Sequence, residues 1–224
     1  MAIQDIIDEY LLEEQNVKRI RSGLWSPSSY GRCVRYQWWN RKDEPQSNPP
    51  DARTLRKFKR GKLFHDLVQG LILKANPLAE KEVEIQTKDV RTFVDIVTPE
   101  EAIEIKSQGT RDFSYSHFKT TRPISEVKYG HFLQAISGAV LTDKDFARLV
   151  YVDTDTLQIK EYKIPITGEN IGKLEAELRL INSYWPDKLP EATPRAFKNK
   201  DGISSECQYC SFRDSCNRRE LGGT

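Results

Sequence analysis

Apolar residues recur at helical spacing from the start of the chain. Ile3, Ile6, Ile7, Tyr10 and Leu11 predict an opening amphipathic helix. A second helix is expected from Ser26-Pro27, with Ser26 as N-cap and Pro27 at the first helical position, carrying Tyr30, Cys33, Tyr36, Trp38 and Trp39. The stretch KDEPQSNPPDA, 42–52, holds three prolines and reads as a surface connection. A longer helix follows over 54–75, with Phe64, Leu67, Val68, Leu71 and Ile72 as its expected buried stripe. The period then changes. Residues 82–86 alternate, 92–97 form a β-branched run and 102–106 alternate again, so three strands are expected. A polar loop is expected over 107–129 and a helix over 130–141. A hairpin is expected from 147–152 and 157–166 around Asp153-Thr154-Asp155-Thr156, then a last long helix over 169–185. The order of helix, strands, helix and strands predicts an α/β core with a mixed sheet.

The segment TFVDIVTPEEAIEIK, 92–106, concentrates the chemistry. A two-residue turn at Pro99-Glu100 sets Thr98 against Glu101 and Asp95 directly across from Glu104. Alternation then puts Asp95, Glu104 and Lys106 on one side and Ile103 and Ile105 on the other. A three-residue turn would shift the pairing but keep the two acids close. Neighbouring carboxylates repel unless a cation lies between them, and a divalent ion with oxygen ligands meets that need. Lys106 on the same face would hold and polarise a water. Two acids, a lysine and a metal suffice for phosphodiester hydrolysis. Taken alone, the segment reads more readily as an edge hairpin with a solvated Glu–Lys pair, because so short a pattern has many chance matches. His65, in GKLFH, is a candidate fourth metal ligand, Glu84 a candidate additional acid, and Gln134 a candidate for orienting water or touching phosphate.

Composition narrows the classes. The chain has 224 residues, 38% hydrophobic and 30% charged, which excludes a disordered chain and fits one domain or one domain with a small appendage. No apolar run reaches the ~20 residues of a membrane span. The acidic, amphipathic opening MAIQDIIDEYLLEE lacks the basic and apolar regions of a signal peptide, so a cytoplasmic, intracellular protein is expected. Net charge is only +2, so any nucleic acid must follow a local track. Arg53, Arg56, Lys57 and Arg60 form one candidate track. Arg111, Lys119, Arg122 and Lys128, interleaved with Phe113, Tyr115 and Phe118, form another, where unpaired bases would stack beside cations.

The four cysteines are Cys33, Cys207, Cys210 and Cys216. In a reducing compartment a cluster of three plus one distant thiol points to metal rather than disulfides. By count alone, zinc and a [4Fe-4S] cluster fit equally.

Together these residues resemble the RecB-type branch of the PD-(D/E)xK nucleases, and more closely its iron–sulfur members, which include the AddB nuclease domain and CRISPR-associated spacer-processing exonucleases. The likeness runs from about Ser26 to Arg218. Cys33 within SPSSYGRCVRY matches the first cluster cysteine, and Gly61 to His65 the G-x-x-x-H helix. Asp95 matches the metal-binding Asp, Glu104 and Lys106 the (D/E)-x-K, and Gln134 the downstream Gln motif. Cys207, Cys210 and Cys216 match the three C-terminal cluster cysteines. Departures are Val34 where proline often follows the cysteine, Thr92 and Phe93 where glycine usually precedes the Asp, and Gly138 where the Gln motif ends in tyrosine.

The resemblance implies a restriction-endonuclease-like α/β core with a mixed central sheet flanked by helices. It implies a single nuclease domain over 1–224, with N-terminal helices at 1–41, a core at 53–185 and a cluster-binding tail at 186–224. The cluster joins the N-terminal helix to the tail. It further implies a Mg²⁺- or Mn²⁺-dependent deoxyribonuclease acting on ends of single-stranded DNA. His65, Asp95, Glu104 and the Ile105 carbonyl would hold the ion, Asp95, Glu104, Lys106 and Gln134 would form the catalytic set, and Arg56, Arg60, Tyr115, Lys119, Arg122 and Lys128 would bind DNA. Recombination, repair or CRISPR spacer processing are the implied settings, with recombination, helicase or CRISPR adaptation proteins as partners. The alternatives are a non-catalytic iron–sulfur or zinc DNA-binding protein on a nuclease fold, and a structure-selective endonuclease. Oligomeric state is not readable from the sequence.

Overall fold

In the computed structural model, residues 2–16, 22–194 and 204–220 are described. They form nine helices: α1 (Ile3–Asn16), α2 (Val34–Lys42), α3 (Ala52–Ala75), α4 (Thr110–Phe118), α5 (Ile124–Val127), α6 (Tyr129–Leu141), α7 (Gly168–Asn182), α8 (Ser205–Gln208) and α9 (Arg213–Glu220). Five strands accompany them: β1 (Glu80–Gln86), β2 (Arg91–Val97), β3 (Glu101–Gln108), β4 (Phe146–Asp153) and β5 (Ile159–Pro165). The chain divides into two compact units. One comprises Leu24–Gly31 and Arg60–Arg179; the other comprises Met1–Gly23, Arg32–Lys59 and Leu180–Thr224.

The first unit contains the sheet, in the order β1-β2-β3-β4-β5. Only β3 and β4 run parallel; every other pair is antiparallel, so the sheet is mixed as expected. A parallel pair needs a long crossover, which α4, α5 and α6 supply. Ile96, Ile103, Ile105, Val150 and Val152 pack with Val68 of α3, joined by Phe64 and Ile72. The α3 stripe departs from expectation: Leu67 and Leu71 are 45% and 56% exposed. Positions 64, 68 and 72 face the sheet, and the inward positions between them are the polar His65 and Gln69. A stripe read only from hydrophobicity rotates away from that face.

Two further segments differ from expectation. The helix expected from Ser26-Pro27 is a short 3₁₀ turn, Pro27–Ser29, and α2 starts only at Val34, with Cys33 as N-cap residue. Between them Gly31 has φ +72, and a Cβ there would meet Gly130 Cα at 2.9 Å. This tight crossing on the start of α6 needs both glycines and interrupts the helix. The polar loop expected over 107–129 contains α4 instead, whose buried residues are Phe113, Ser116 and His117. His117 seats that helix on the sheet. Gln108 Nε2 donates to Asp112 at 2.6 Å, so Gln108 Oε1 accepts from His117 Nε2 at 2.6 Å, and Tyr162 OH donates to His117 Nδ1 at 2.9 Å.

The second unit packs Trp38, Trp39 and Phe212, with Tyr36, Tyr184, Trp185, Cys210 and Cys216 around them. The proline-bearing connection is no free loop. Asn48 Oδ1 accepts from Asp214 N at 2.8 Å, and Ser47 Oγ accepts from Ser215 N at 3.1 Å. These side chains satisfy first-turn donors of α9 that have no partner within the helix. Part of the expected 186–224 tail, 195–203 and 221–224, lies outside the described residues, as do the side chains of 218–220. No helix among the described residues is long and apolar enough to cross a membrane.

Candidate active site

The hairpin register is the one the two-residue turn implies. Thr98 N donates to Glu101 O at 2.9 Å, and Ile96 and Val97 pair with Ile103 and Ala102. Continuing one step puts Asp95 across from Glu104. The regular β2–β3 ladder stops there, and the Ile105 N–H donates instead to Asp95 Oδ2 at 2.7 Å. His65 Nε2 lies 2.8 Å from the same oxygen. Among the described residues, Oδ1 of this buried carboxylate takes no hydrogen bond and remains for another ligand.

On the other side of β2, Lys81 pairs with Ile96 and Val83 with Val94, which puts Glu82 opposite Asp95. Glu82, Asp95 and Glu104 therefore occupy one rung across three strands. His65, Glu82 and Asp95 each offer a ligand atom within 4.8 Å of the others, the arrangement a metal ion needs. Glu104 joins the rung from the Lys106 side, with Lys106 Nζ 2.6 Å from its Oε1. Lys106 also donates to Gln134 Oε1 at 3.0 Å. The structure thus brings His65, Asp95, Glu104, Lys106 and Gln134 together. Ile105 enters through its N–H. Glu84 is not in the cluster: its carboxylate accepts from Arg91 Nε at 2.7 Å, two residues along β1. The extra acid is Glu82.

Electrostatics fit a cation. Burial pushes the Glu104 carboxyl up to about 7; the Lys106 charge opposes this, and the Asp95 charge adds to it. Burial disfavours the Lys106 ammonium, yet the charge and hydrogen bond of Glu104 outweigh that and raise it. Burial likewise works against the His65 cation, but the hydrogen bond and charge of Asp95, with the charges of Glu82 and Glu104, hold the imidazole above its ordinary value. A bound divalent ion would relieve the same crowding of acids.

The candidate DNA-binding residues divide. Tyr115 is 64% exposed, and Arg60 and Lys119 are exposed. Arg122 pairs with Glu126 at 3.1 Å, Lys128 with Asp112 at 3.0 Å, and Arg56 with Asp8. Phe113 is buried in the core rather than offered for stacking.

The cysteine region lies in the second unit. Burial raises the Cys207 thiol, and the charges of Cys33, Cys210, Glu206 and Cys216 raise it further. Burial also raises Cys210, against the Phe212 N–H and Arg32. Arg35 Nη1 donates to Cys216 Sγ at 3.2 Å, and Phe212 N to Cys210 Sγ at 3.4 Å. Such N–H donors stabilise thiolates, so the donor set fits a bound metal centre.

No family model matches the sequence, and no curated protein matches it. Solved structures do. SSO0001 superposes with a TM-score of 0.58 at 19% identity over 96% of each chain. The alkaline exonuclease LHK-Exo from Laribacter hongkongensis superposes with a TM-score of 0.50 at 14% identity, covering 78% of this chain and 91% of that one. At these identities the likeness is one of fold: the mixed sheet and its helices follow the architecture of these solved structures.

Proposed function

We propose that this chain is a metal-dependent deoxyribonuclease that degrades DNA from single-stranded ends, and that it carries a structural [4Fe-4S] cluster. The acid rung Glu82–Asp95–Glu104 with Lys106 at one end carries the reading. Lys106 and the acids sit where neighbouring strands separate, and the buried pair Asp95 and Glu104 has no structural use that apolar residues would not serve better. The likeness to an alkaline exonuclease fold supports the reaction class.

His65, Glu82, Asp95 and Glu104 would hold Mg²⁺ or Mn²⁺, and the resemblance adds the Ile105 carbonyl to that set. When bound, the ion polarises the scissile phosphate and activates water. Asp95 keeps Oδ1 for it because Ile105 and His65 occupy Oδ2. Lys106 orients the attacking water and stabilises charge on the phosphate. Gln134 accepts from Lys106 and so fixes the direction of that amine. The exposed Tyr115, Arg60 and Lys119 would grip the strand by stacking and charge. Recombination, repair or spacer processing are the settings in which such ends arise.

Cys33, Cys207, Cys210 and Cys216 would hold the cluster. By count, four thiols suit tetrahedral zinc as well as a cubane, and the split one-plus-three spacing resembles the iron–sulfur members of the family.

Asp95→Ala tests the catalytic reading. With Mn²⁺ and a linear single strand, cleavage falls at least ~10³-fold, while strand binding and the far-ultraviolet spectrum persist. Cleavage at the parent rate removes the mechanism. Degradation of a circular strand as fast as a linear one replaces the exonuclease with an endonuclease.

A further inference from the structure

Gln69 follows His65 by one helical turn on α3, and only 2% of it is exposed. A buried amide needs partners. Its Nε2 donates to Glu82 Oε1 at 2.9 Å and to the Asp95 main-chain carbonyl at 3.0 Å. Both partners are acceptors, so the NH₂ group must face them, and its two hydrogens serve one bond each.

The local backbone shows why these bonds matter. β1 pairs regularly with β2 on either side of Glu82, but the Glu82–Asp95 rung itself is missing from the ladder. Glu82 has φ 51, a left-handed conformation unfavourable for a non-glycine residue. Such strain within a strand persists only where surrounding contacts hold it. Here the Gln69 amide meets the Asp95 carbonyl at the break and restrains the displaced carboxylate. Glu82 is otherwise on an exposed strand face, where a free side chain would sample several rotamers.

We propose that Gln69 is a positioning residue of the cation site: it ties the Glu82 carboxylate to the main chain of Asp95, so that both acids present themselves to the ion at a fixed separation. The inference rests on the nuclease reading of this site and adds how its outermost acid is organised.

The test is Mn²⁺ binding by the full chain, measured calorimetrically beside cleavage kinetics. Gln69→Met keeps length and removes both donors. Its Mn²⁺ affinity falls ~10-fold or more, the rate at saturating Mn²⁺ returns to within ~3-fold of the parent, and KM for DNA is unchanged. In a Glu82→Ala background, Gln69→Met adds no further loss of Mn²⁺ affinity, a non-additivity that a merely structural role would not produce. Parental affinity in Gln69→Met, or an equal loss in the Glu82→Ala background, overturns the proposal. Should Gln69→Met fail to fold, Glu82→Ala, on an exposed strand face, decides: unchanged Mn²⁺ affinity there also overturns it. A chain whose Mn²⁺ affinity depends on Glu82 and Gln69 as stated but that cuts no DNA sinks the nuclease reading alone. A chain that cuts DNA with Gln69→Met at parental Mn²⁺ affinity sinks this inference alone.

Discussion

The acid rung and the cysteine region both gather groups that repel when charged, and they are supported in different ways. Around the acids the polypeptide supplies its own counterweights. Lys106 lies against Glu104, His65 and the Ile105 N–H meet Asp95, and the Gln69 amide holds Glu82. These partners come from a sheet and a 24-residue helix that share one apolar core. Around the thiols there is less. The three C-terminal cysteines lie on or beside α8, four residues long, and α9, eight residues long. Helices of that length are not stable by themselves, and their stitching comes from Asn48 and Ser47, from Glu206 accepting the Cys33 N–H at 2.6 Å, from Arg35 on Cys216 and from a small aromatic cluster. The acid site is built by the fold, whereas in the cysteine region the proposed cluster would supply part of the support.

Cys216→Ser should break that symmetry most visibly. It removes one of the four proposed ligands and the sulfur that accepts from Arg35. Metal binding of this kind contributes directly to folding, so Tm is expected to fall by ~10 °C, with loss of bound iron and of visible absorption. Mn²⁺ affinity at the acid rung is expected to stay within ~2-fold of the parent, because ligands of separate sites act independently. A Cys216→Ser chain that keeps its Tm and its metal content would show that the aromatic cluster alone holds this unit. Zinc at one per chain, with no iron, would replace the cluster in the proposal.

Acid distinguishes the regions more gently. All three histidines, His65, His117 and His131, belong to the unit with the sheet. Burial, with the charges of Lys128 and Lys160, pushes His117 down to about 4 from an ordinary 6.5. The unfolded chain therefore takes up this proton before the native one does. The stability His117 provides is complete above pH 6.5 and is lost as pH falls toward 4. His131, pushed down to about 3 by burial and the Lys106 charge, acts in the same direction. Glu104, raised to about 7, pulls the other way, so a variant is needed to isolate one group. In His117→Gln, the Tm decrease between pH 6.5 and 4 should shrink by ~4–8 °C, corresponding to ~2 kcal/mol after allowance for solvent screening. An unchanged pH profile would mean that His117 is protonated at little cost in the native state.

Much of this was legible from side-chain period and turn length. Counting outward from Pro99-Glu100 places Asp95 against Glu104. The same counting from the turn at Lys88-Asp89, where Thr87 N donates to Val90 O at 2.8 Å, would have selected Glu82 over Glu84. Both acids share one face by alternation, and only register separates them. The α3 stripe failed for an instructive reason: His65 and Gln69 occupy inward positions because the site needs them there, so a hydrophobic reading turned to Leu67 and Leu71. α4 was missed because its nine residues offer only one apolar turn, and its seating is polar, through His117, Gln108 and Tyr162. The left-handed backbone at Glu82 has no sequence signature, since it is imposed by contacts from α3.

The smallest expected effect concerns Gly138, one turn beyond Gln134, where the resembled family carries tyrosine. Gly138 is buried, and a Cβ there would meet the Val94 methyl carbons at 3.5 and 3.6 Å, ordinary contact. A single methyl group therefore fits, while a phenol ring would have to displace β2 beside Asp95. The glycine belongs to the packing of α6 on the strand that carries Asp95. A glycine inside a helix is worth ~0.5–1 kcal/mol less than alanine, so Gly138→Ala should raise Tm by ~1–4 °C and leave cleavage within ~2-fold of the parent. Loss of cleavage in Gly138→Ala without loss of stability would show that this position must stay open for the substrate, and would move the acid rung's working surface toward α6.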